Sequence, residues 1–531
     1  MKRFLSLLIL GLGVYSLQAQ TFTDAINFSV NEYGGTARSL ALGNAMTAVG
    51  GDLGSIGINP AGGGVAPYSQ LTLTPSLNFA FSTSGYAAVS GTDPFSNNNP
   101  ARHTRFQLPN IGLSFQYETG QRYGLKSMSF GLVSNSTANF NSKCVGGGTN
   151  DQTTYSGYVA SQAKGYKDSV LGSYGSYASF SAPWECINAY RSNMIGTLTG
   201  KDDVYAGAAE VIYPNGDITI GGPINQTFGY QSYGSKNDMA INWSCNISDR
   251  LFLGANLVIQ ILEMQQDQYI KEYAVNPAKF PVRINDVDTQ FDNLRSRFSY
   301  HANGSGLYAK FGAIYVPGNG LRIGGAIQTP TAMTIKEVWK YAGETHFTNN
   351  SVDASDTSSD GQYEYRFRAP WRFNLGVAYT YSNLALFSLD YEMCDYKTMR
   401  FRSMDAYYDN EFNNVNQDIK DFGGIAHYIR AGAEVKPLPQ FALRAGYNLA
   451  TSPEYYYESN VRKHVSALTH ACSFGIGYSS DGSFFADLAA RYTFHPTQYI
   501  TPYYDYVGVK SPELETRCGA LDLVLTLGFR F

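Results

Sequence analysis

Charged residues make up only 15% of the 531-residue chain. That is well below the quarter or so typical of soluble domains, so a solvated charged surface is not what keeps this polypeptide in place. Long apolar runs are also scarce. Beyond the first twenty residues no stretch approaches the ~20 apolar residues of a membrane helix, which excludes a helical membrane bundle. Cysteine is too sparse for a disulfide scaffold, with six residues in the whole chain. Neither sign of charge dominates, and a net charge of -4 gives no electrostatic reason to expect nucleic acid. The signatures G-x-S-x-G, H-E-x-x-H and G-x-x-x-x-G-K-[ST] do not occur, and of the seven histidines only His464 and His470 come near each other. No enzyme and no cofactor is therefore expected. What is abundant is aromatic residues and glycine, with Tyr 41, Phe 31 and Gly 54, a composition that disordered chains do not carry.

The first twenty residues bear on the compartment. Lys2 and Arg3 precede an apolar stretch over residues 4–14, and Ser16-Leu17-Gln18-Ala19 forms a small-residue exit. This reads as a secretory signal peptide over residues 1–19, with the mature chain starting near Gln20. A retained anchor is disfavoured because the stretch is too short to span. Absence of cysteine at the exit disfavours a lipoprotein. Cys144 and Cys186 share one long polar segment, where a bridge and two free thiols are equally consistent with export. Cys245, Cys394 and Cys472 fall in alternating segments and read as small apolar residues, whereas Cys518 has no evident partner.

Period-two alternation runs through most of the chain. Leu521, Leu523, Leu525, Leu527, Phe529 and Phe531 share one face, opposite Asp522, Val524, Thr526, Gly528 and Arg530. Phe373, Leu375, Val377 and Tyr379 likewise alternate with Arg372, Asn374, Gly376 and Ala378. About fourteen such segments are predicted, near residues 69–82, 105–118, 126–137, 235–246, 250–265, 299–316, 321–336, 362–379, 384–398, 424–436, 440–450, 468–479, 482–494 and 519–531. Their connections alternate in length. Asn246-Ile247-Ser248-Asp249, Pro317-Gly318-Asn319-Gly320, residues 380–383, Pro437-Leu438-Pro439 and Ser479-Ser480-Asp481-Gly482 are tight turns, and the connections between them are long and polar. Short turns at one end and long loops at the other build a transmembrane β-barrel, all-β and antiparallel, with both termini on the short-turn side. A soluble sandwich or propeller also alternates, but its outward faces are polar.

Residues 20–67 have another texture. Thr36 to Val49 is predicted as a short helix, with Thr36 as N-cap and Gly50-Gly51 as its stop. The stretch Asp52-Leu53-Gly54-Ser55-Ile56-Gly57-Ile58-Asn59-Pro60-Ala61-Gly62 that follows is compact and glycine-rich, suited to a knot inside a pore. The run GTARSLALGNAMTAVGGDLGSIGINPAGG resembles the N-terminal hatch of the FadL/TodX family, the long-chain fatty-acid and hydrophobic-compound channels of bacterial outer membranes, most closely at Asn59-Pro60-Ala61. The resemblance covers about thirty residues. It implies a fourteen-stranded barrel over residues 68–531, plugged by a hatch over residues 20–67. It also implies passive uptake without nucleotide or covalent chemistry: capture among the loops, hatch movement and sideways exit through the wall. The acidic pair common in the family before the triplet is reduced here to Asp52, which leaves the ligand open.

Implied partners are a hydrophobic, fatty-acid-like small molecule, outer-membrane lipids and lipopolysaccharide, and the barrel assembly machinery. The competing class is a protein-binding barrel of the PorV-like secretion type, which needs a docking surface on the loops and a sealed lumen. A sideways exit needs a break in the strand ladder, and proline supplies one by lacking a donor. Pro75 and Pro109, on neighbouring segments, mark either that break or a bulge at the rim. Arg372, Arg430, Arg444 and Arg491 fall on the inward parity with Glu434 and Asp487. They are expected mostly as structural ion pairs, one of them as a candidate grip for a ligand carboxylate. The segment 138–234 and the clusters Tyr407-Tyr408, Tyr455-Tyr456-Tyr457 and Tyr503-Tyr504 are expected at the outer end, as girdle rather than capture site. Asp286, Asp288 and Asp292 lack the spacing of a calcium loop, and no metal is expected.

Overall fold

A row of hydrocarbon on one face of every strand asks for lipid, and the chain turns that row outward around a closed sheet. The computed structural model describes residues 7–8, 20–87, 98–173, 175–179, 181–405, 410–480, 483–506 and 508–531. The expected signal peptide, Tyr407-Tyr408 and the tip of the 479–482 turn lie outside these residues, apart from residues 7–8. Fourteen antiparallel strands form the barrel. They are β1 (Gln70–Ala87), β2 (Asn99–Glu118), β3 (Leu125–Asn139, continuing as Ser142–Asn150), β4 (Ile224–Ile247) and β5 (Leu251–Ala274). Then come β6 (Val287–Gly318), β7 (Leu321–Gln328 and Ala332–Phe347), β8 (Gly361–Arg368 and Arg372–Tyr381), β9 (Ala385–Asp395) and β10 (Ile425–Leu438). Last are β11 (Phe441–Thr451), β12 (Leu468–Ser479), β13 (Phe484–Phe494) and β14 (Glu513–Arg530). The first strand closes on the last, with Gln70 opposite Arg530 and Ala87 opposite Glu513.

The face assignments hold. Leu375 is 63% exposed while its neighbour Asn374 is 1% exposed, and Leu523, Leu525, Leu527 and Phe529 face out while Asp522 and Thr526 face in. Such a continuous apolar exterior is lipid-facing rather than water-facing. Closure pairs each strand with a neighbour on both sides over most of its length, which satisfies the backbone in lipid. The short turns and long loops sit at opposite ends as expected.

Several strands depart from their predicted course. The segments predicted at 321–336 and 362–379 are each broken, β7 at 329–331 and β8 at 369–371, around Pro330 and Pro370. Proline cannot donate to the ladder, and the inner side of the break is filled by Phe28, Phe367, Phe401 and Phe412. The segment 138–234, expected as one long polar loop, instead contributes upper strand to β3 and β4. Between them it folds a cap containing α3 (Tyr155–Ala163) and α4 (Trp184–Arg191). The cap buries Tyr158, Val159, Ile187 and Trp184 against Phe228, Ile270, Phe291 and Leu514 of the wall. Cys144 and Cys186 are both free and buried in that core, so the bridge between them is not formed. Tyr503 lies in the same core, stacked on Tyr158 at 5.7 Å, rather than in a girdle.

Residues 20–67 lie within the barrel. The helix expected from Thr36 to Val49 is only α2 (Ala37–Ala41), capped as predicted by Thr36, whose hydroxyl accepts from Ser39 N. It stops long before Gly50-Gly51 because Gly43 and Asn44 take left-handed φ values of 62° and 61°. The wall enforces this, since a Cβ at Gly43 would lie 2.8 Å from Tyr447 N. A second helix, α1 (Phe22–Ser29), was not read from the sequence. Its start is a capping box in which Thr21 and Asp24 exchange hydrogen bonds.

Candidate functional site

The Asn59-Pro60-Ala61 triplet is a fixed point of the lumen segment. Asn59 is fully buried; its Nδ2 donates to Thr47 O at 2.6 Å and to Ala313 O of β6 at 3.2 Å, while its Oδ1 accepts from Ala61 N. Glycine in the wall makes room for it, since a Cβ at Gly312 would sit 1.9 Å from Asn59 Oδ1. The amide thus satisfies main chain on both the plug and the barrel, a structural role.

Wall cations hold the rest of the segment by its carbonyls. Lys236 Nζ donates to Phe28 O and Val30 O, and Arg372 Nη2 donates to Ser29 O, at the C-terminal end of α1 where the helix dipole favours positive charge. Arg491 reaches Tyr33 O at 3.3 Å, Lys310 reaches Gly57 O at 2.9 Å and Arg322 reaches Val49 O at 2.8 Å. The carboxylate Glu392 sits between Arg372, at 2.6 Å, and Arg430, at 2.7 Å, all three buried. Arg444 pairs with Glu434 and Asp487, Arg38 of α2 joins Glu434 at 3.1 Å, and Arg491 pairs with Asp522 at 3.0 Å. All four candidate arginines therefore have carboxylate partners, and only Arg491 also lines the large cavity described below.

Pro75 and Pro109 face one another across a bulge. Thr74 pairs with Asn110 and Ser76 with Gln107, so the β1–β2 register shifts at this pair. From Asn110 downward β2 pairs with β3, beginning at Asn135; above it, no β2–β3 backbone pairing is present among the described residues. The upper seam is bridged by side chains instead, Gln107 Nε2 to Asn139 Oδ1 at 2.8 Å and His103 to Asn141. Inside it the lumen segment supplies main chain: Glu32 N donates to Thr137 O at 2.7 Å and Gly34 N to Ser136 O at 2.8 Å. Gly34 is wedged here, with a Cβ position 3.1 Å from Pro109 Cβ and 3.2 Å from Ser136 Cβ.

Next to the seam is a cavity of about 960 Å³, bounded by α1, by the cap at Tyr158 and Gln162, and by Phe140, Asn141, Phe298 and Tyr341 of the wall. Burial pushes the Asp24 carboxyl in it up to about 6, against the lowering effect of its hydrogen bonds from Thr21. Because the folded value lies above the ordinary 3.8, the stability this group lends to α1 is full below that value and is lost as pH rises through 6. Amides of residues 22–29 are therefore expected to exchange faster, after correction for intrinsic rates, at pH 7.5 than at pH 5. Asp24→Asn should remove the difference.

Of the other expectations, Tyr455 stacks under Arg462, whose Cζ lies 3.7 Å from the ring centroid, in a small loop hairpin. Asp286 and Asp288 pair with Arg283, at 3.4 and 3.8 Å, and no metal-binding group of His, Cys, Asp or Glu occurs among the described residues. Lys236, Lys310, Glu392 and Gly34 were missed. The inward parity of Lys236, Lys310 and Glu392 was legible, but nothing in the sequence marks which inward groups meet the plug, and Gly34, in the plug itself, carries no strand period.

No protein-family model matches the sequence, and no curated protein matches it. Among solved structures, a FadL homologue of Pseudomonas aeruginosa aligns over 95% of this chain and 99% of its own, at 11% identity and a TM-score of 0.50. The toluene transporter TodX of Pseudomonas putida aligns over 95% and 100%, at 12% identity and a TM-score of 0.48. The first likeness shows that this chain has the fold of a FadL-type barrel. No helix among the described residues is long and apolar enough to cross a membrane; the closed barrel crosses with strands, in the outer membrane of a bacterial cell.

Proposed function

We propose that the protein is a passive outer-membrane channel for hydrophobic small molecules. A compound is captured among the outer loops, received in the cavity beneath the cap, and released sideways between β2 and β3 when the hatch, residues 20–67, shifts. The seam carries this reading. There the backbone ladder is replaced by side-chain bridges and by hatch main chain, so withdrawing residues 32–34 opens a path from cavity to lipid without breaking a strand pair. Pro109 is the first residue past the end of the ladder, and its missing donor is consistent with that termination. The hatch resemblance at Asn59-Pro60-Ala61 and the FadL-type fold support the same function. The chemistry requires no cofactor: moving an apolar solute past the polar leaflet needs a shielded route, and the solute's preference for lipid drives release.

The reading is tested by purifying the protein from its native membrane and identifying what accompanies it by mass spectrometry. A bound apolar small molecule at near-stoichiometric level is the expected result. Recovery of a secreted protein bound to the outer loops, with an empty cavity, favours the protein-binding alternative.

A further inference from the structure

If the cavity receives the transported compound, as proposed above, its lining also states which polar end it accepts. The inward cations are engaged elsewhere: Arg372 and Arg430 on Glu392, Arg491 on Asp522, and Lys236 on hatch carbonyls. Facing the cavity are the carboxylates Asp24, Glu32, Asp418 and Asp505. None of these four forms an ion pair among the described residues, and Glu32 and Lys236 attract one another only at longer range. Against them stand one amine without an ion pair among the described residues, Lys143, and His495. A ligand carboxylate entering here meets an excess of its own charge in a partly desolvated space, where repulsion is strong.

The remaining polar lining is amide. Gln266 and Gln268 project inward from β5 and are 9% and 8% exposed; among the described residues the Gln266 side chain makes a long contact of 3.7 Å to Met264 Sδ. Rings of Phe298 and Tyr300 on the adjacent β6 flank them, and Tyr341 lies one strand further, on β7. A carboxamide both donates and accepts, which suits a hydroxyl, and the rings suit an apolar body.

We propose that the cavity admits amphiphiles whose polar end is an uncharged hydrogen-bonding group, a hydroxyl above all, and discriminates against carboxylates. The test is equilibrium binding of 1-decanol, decanoate and decylamine to the full-length mature protein in nanodiscs at pH 8, with empty nanodiscs as blank. Decanol is expected to bind about tenfold more tightly than decanoate. Gln266→Leu with Gln268→Leu should weaken decanol several-fold while the barrel keeps its heat-modifiable gel mobility. Decanoate binding as tightly as decanol or tighter, with Lys143→Met removing it, overturns the proposal and leaves the uptake function standing. Decylamine binding more tightly than decanol overturns the choice of an uncharged end. Failure of all three to bind overturns both this proposal and the uptake function.

Discussion

Uptake of a hydrophobic compound is expected to fall to background when Gly34→Cys and Ser136→Cys are combined and oxidised, and to return on reduction. The Cβ position of Gly34 lies 3.2 Å from Ser136 Cβ. That is slightly inside the 3.5–4.5 Å usual for a disulfide, so a small hatch adjustment closes the bond. Gly34 has no left-handed φ to lose, so a cysteine is tolerated there by the backbone. The bridge ties the hatch to β3 at the point where two main-chain hydrogen bonds already hold it. Both single variants, and the double variant under reduction, should transport normally. Because all six native cysteines are free and four are buried, mispairing is read directly by comparing single and double variants. Full uptake by the oxidised double variant places the exit elsewhere.

The second large effect concerns the charge that holds the plug. Glu392 neutralises Arg372 and Arg430 at once, and all three side chains are buried. Replacing it by leucine leaves two buried guanidinium groups without a counter-ion, a loss on the order of 3–5 kcal/mol. Arg372 also donates to Ser29 O and Arg430 lies 5.0 Å from the Tyr33 ring centroid, so the disturbance passes straight to the hatch. Glu392→Leu is therefore expected to leave the barrel folded, as judged by heat-modifiable mobility. Hydrogen exchange over residues 28–34 should rise by two orders of magnitude or more, and ion conductance should appear in planar bilayers. Replacing all three groups by apolar residues of similar volume should restore much of the protection, since the penalty comes from unpaired charge rather than from lost attraction.

The barrel was legible because lipid selects one face of every strand, and that selection writes a period of two into the sequence. Leu521 to Phe531 and Phe373 to Tyr379 show it plainly, and the alternating turn lengths then fixed the strand count and the side on which the termini lie. The Asn59 triplet was legible by resemblance. Where the chain leaves the lipid, the signal fades. The cap around Tyr158 and Trp184 builds a core from aromatics scattered among Ser and Gly, without helical or strand period, so it read as a polar loop. Helix α1 is eight residues long, and its clearest mark was the Thr21-to-Asp24 capping box rather than an apolar stripe. The inward charges were visible as a set, but partner choice depends on register across strands far apart in sequence. Glu392, at the centre of the network, differs from other inward carboxylates only in what surrounds it. The prolines behaved in two ways. Pro330 and Pro370 break strands over a filled interior, whereas Pro75 and Pro109 lie beside a seam, and only the fold separates the two cases.

The proposed route runs from the cavity, past the hatch at Gly34, into lipid between β2 and β3. Photolabelling follows it most directly. A decanol analogue carrying a diazirine at its tail, added to the protein in outer-membrane vesicles and irradiated, should label Phe140, Pro109 and residues 30–34, with the labelling of residues 30–34 lost in the oxidised Gly34→Cys, Ser136→Cys protein. Labels confined to the outward lipid-facing residues of the wall, unchanged by the lock, would contradict the route.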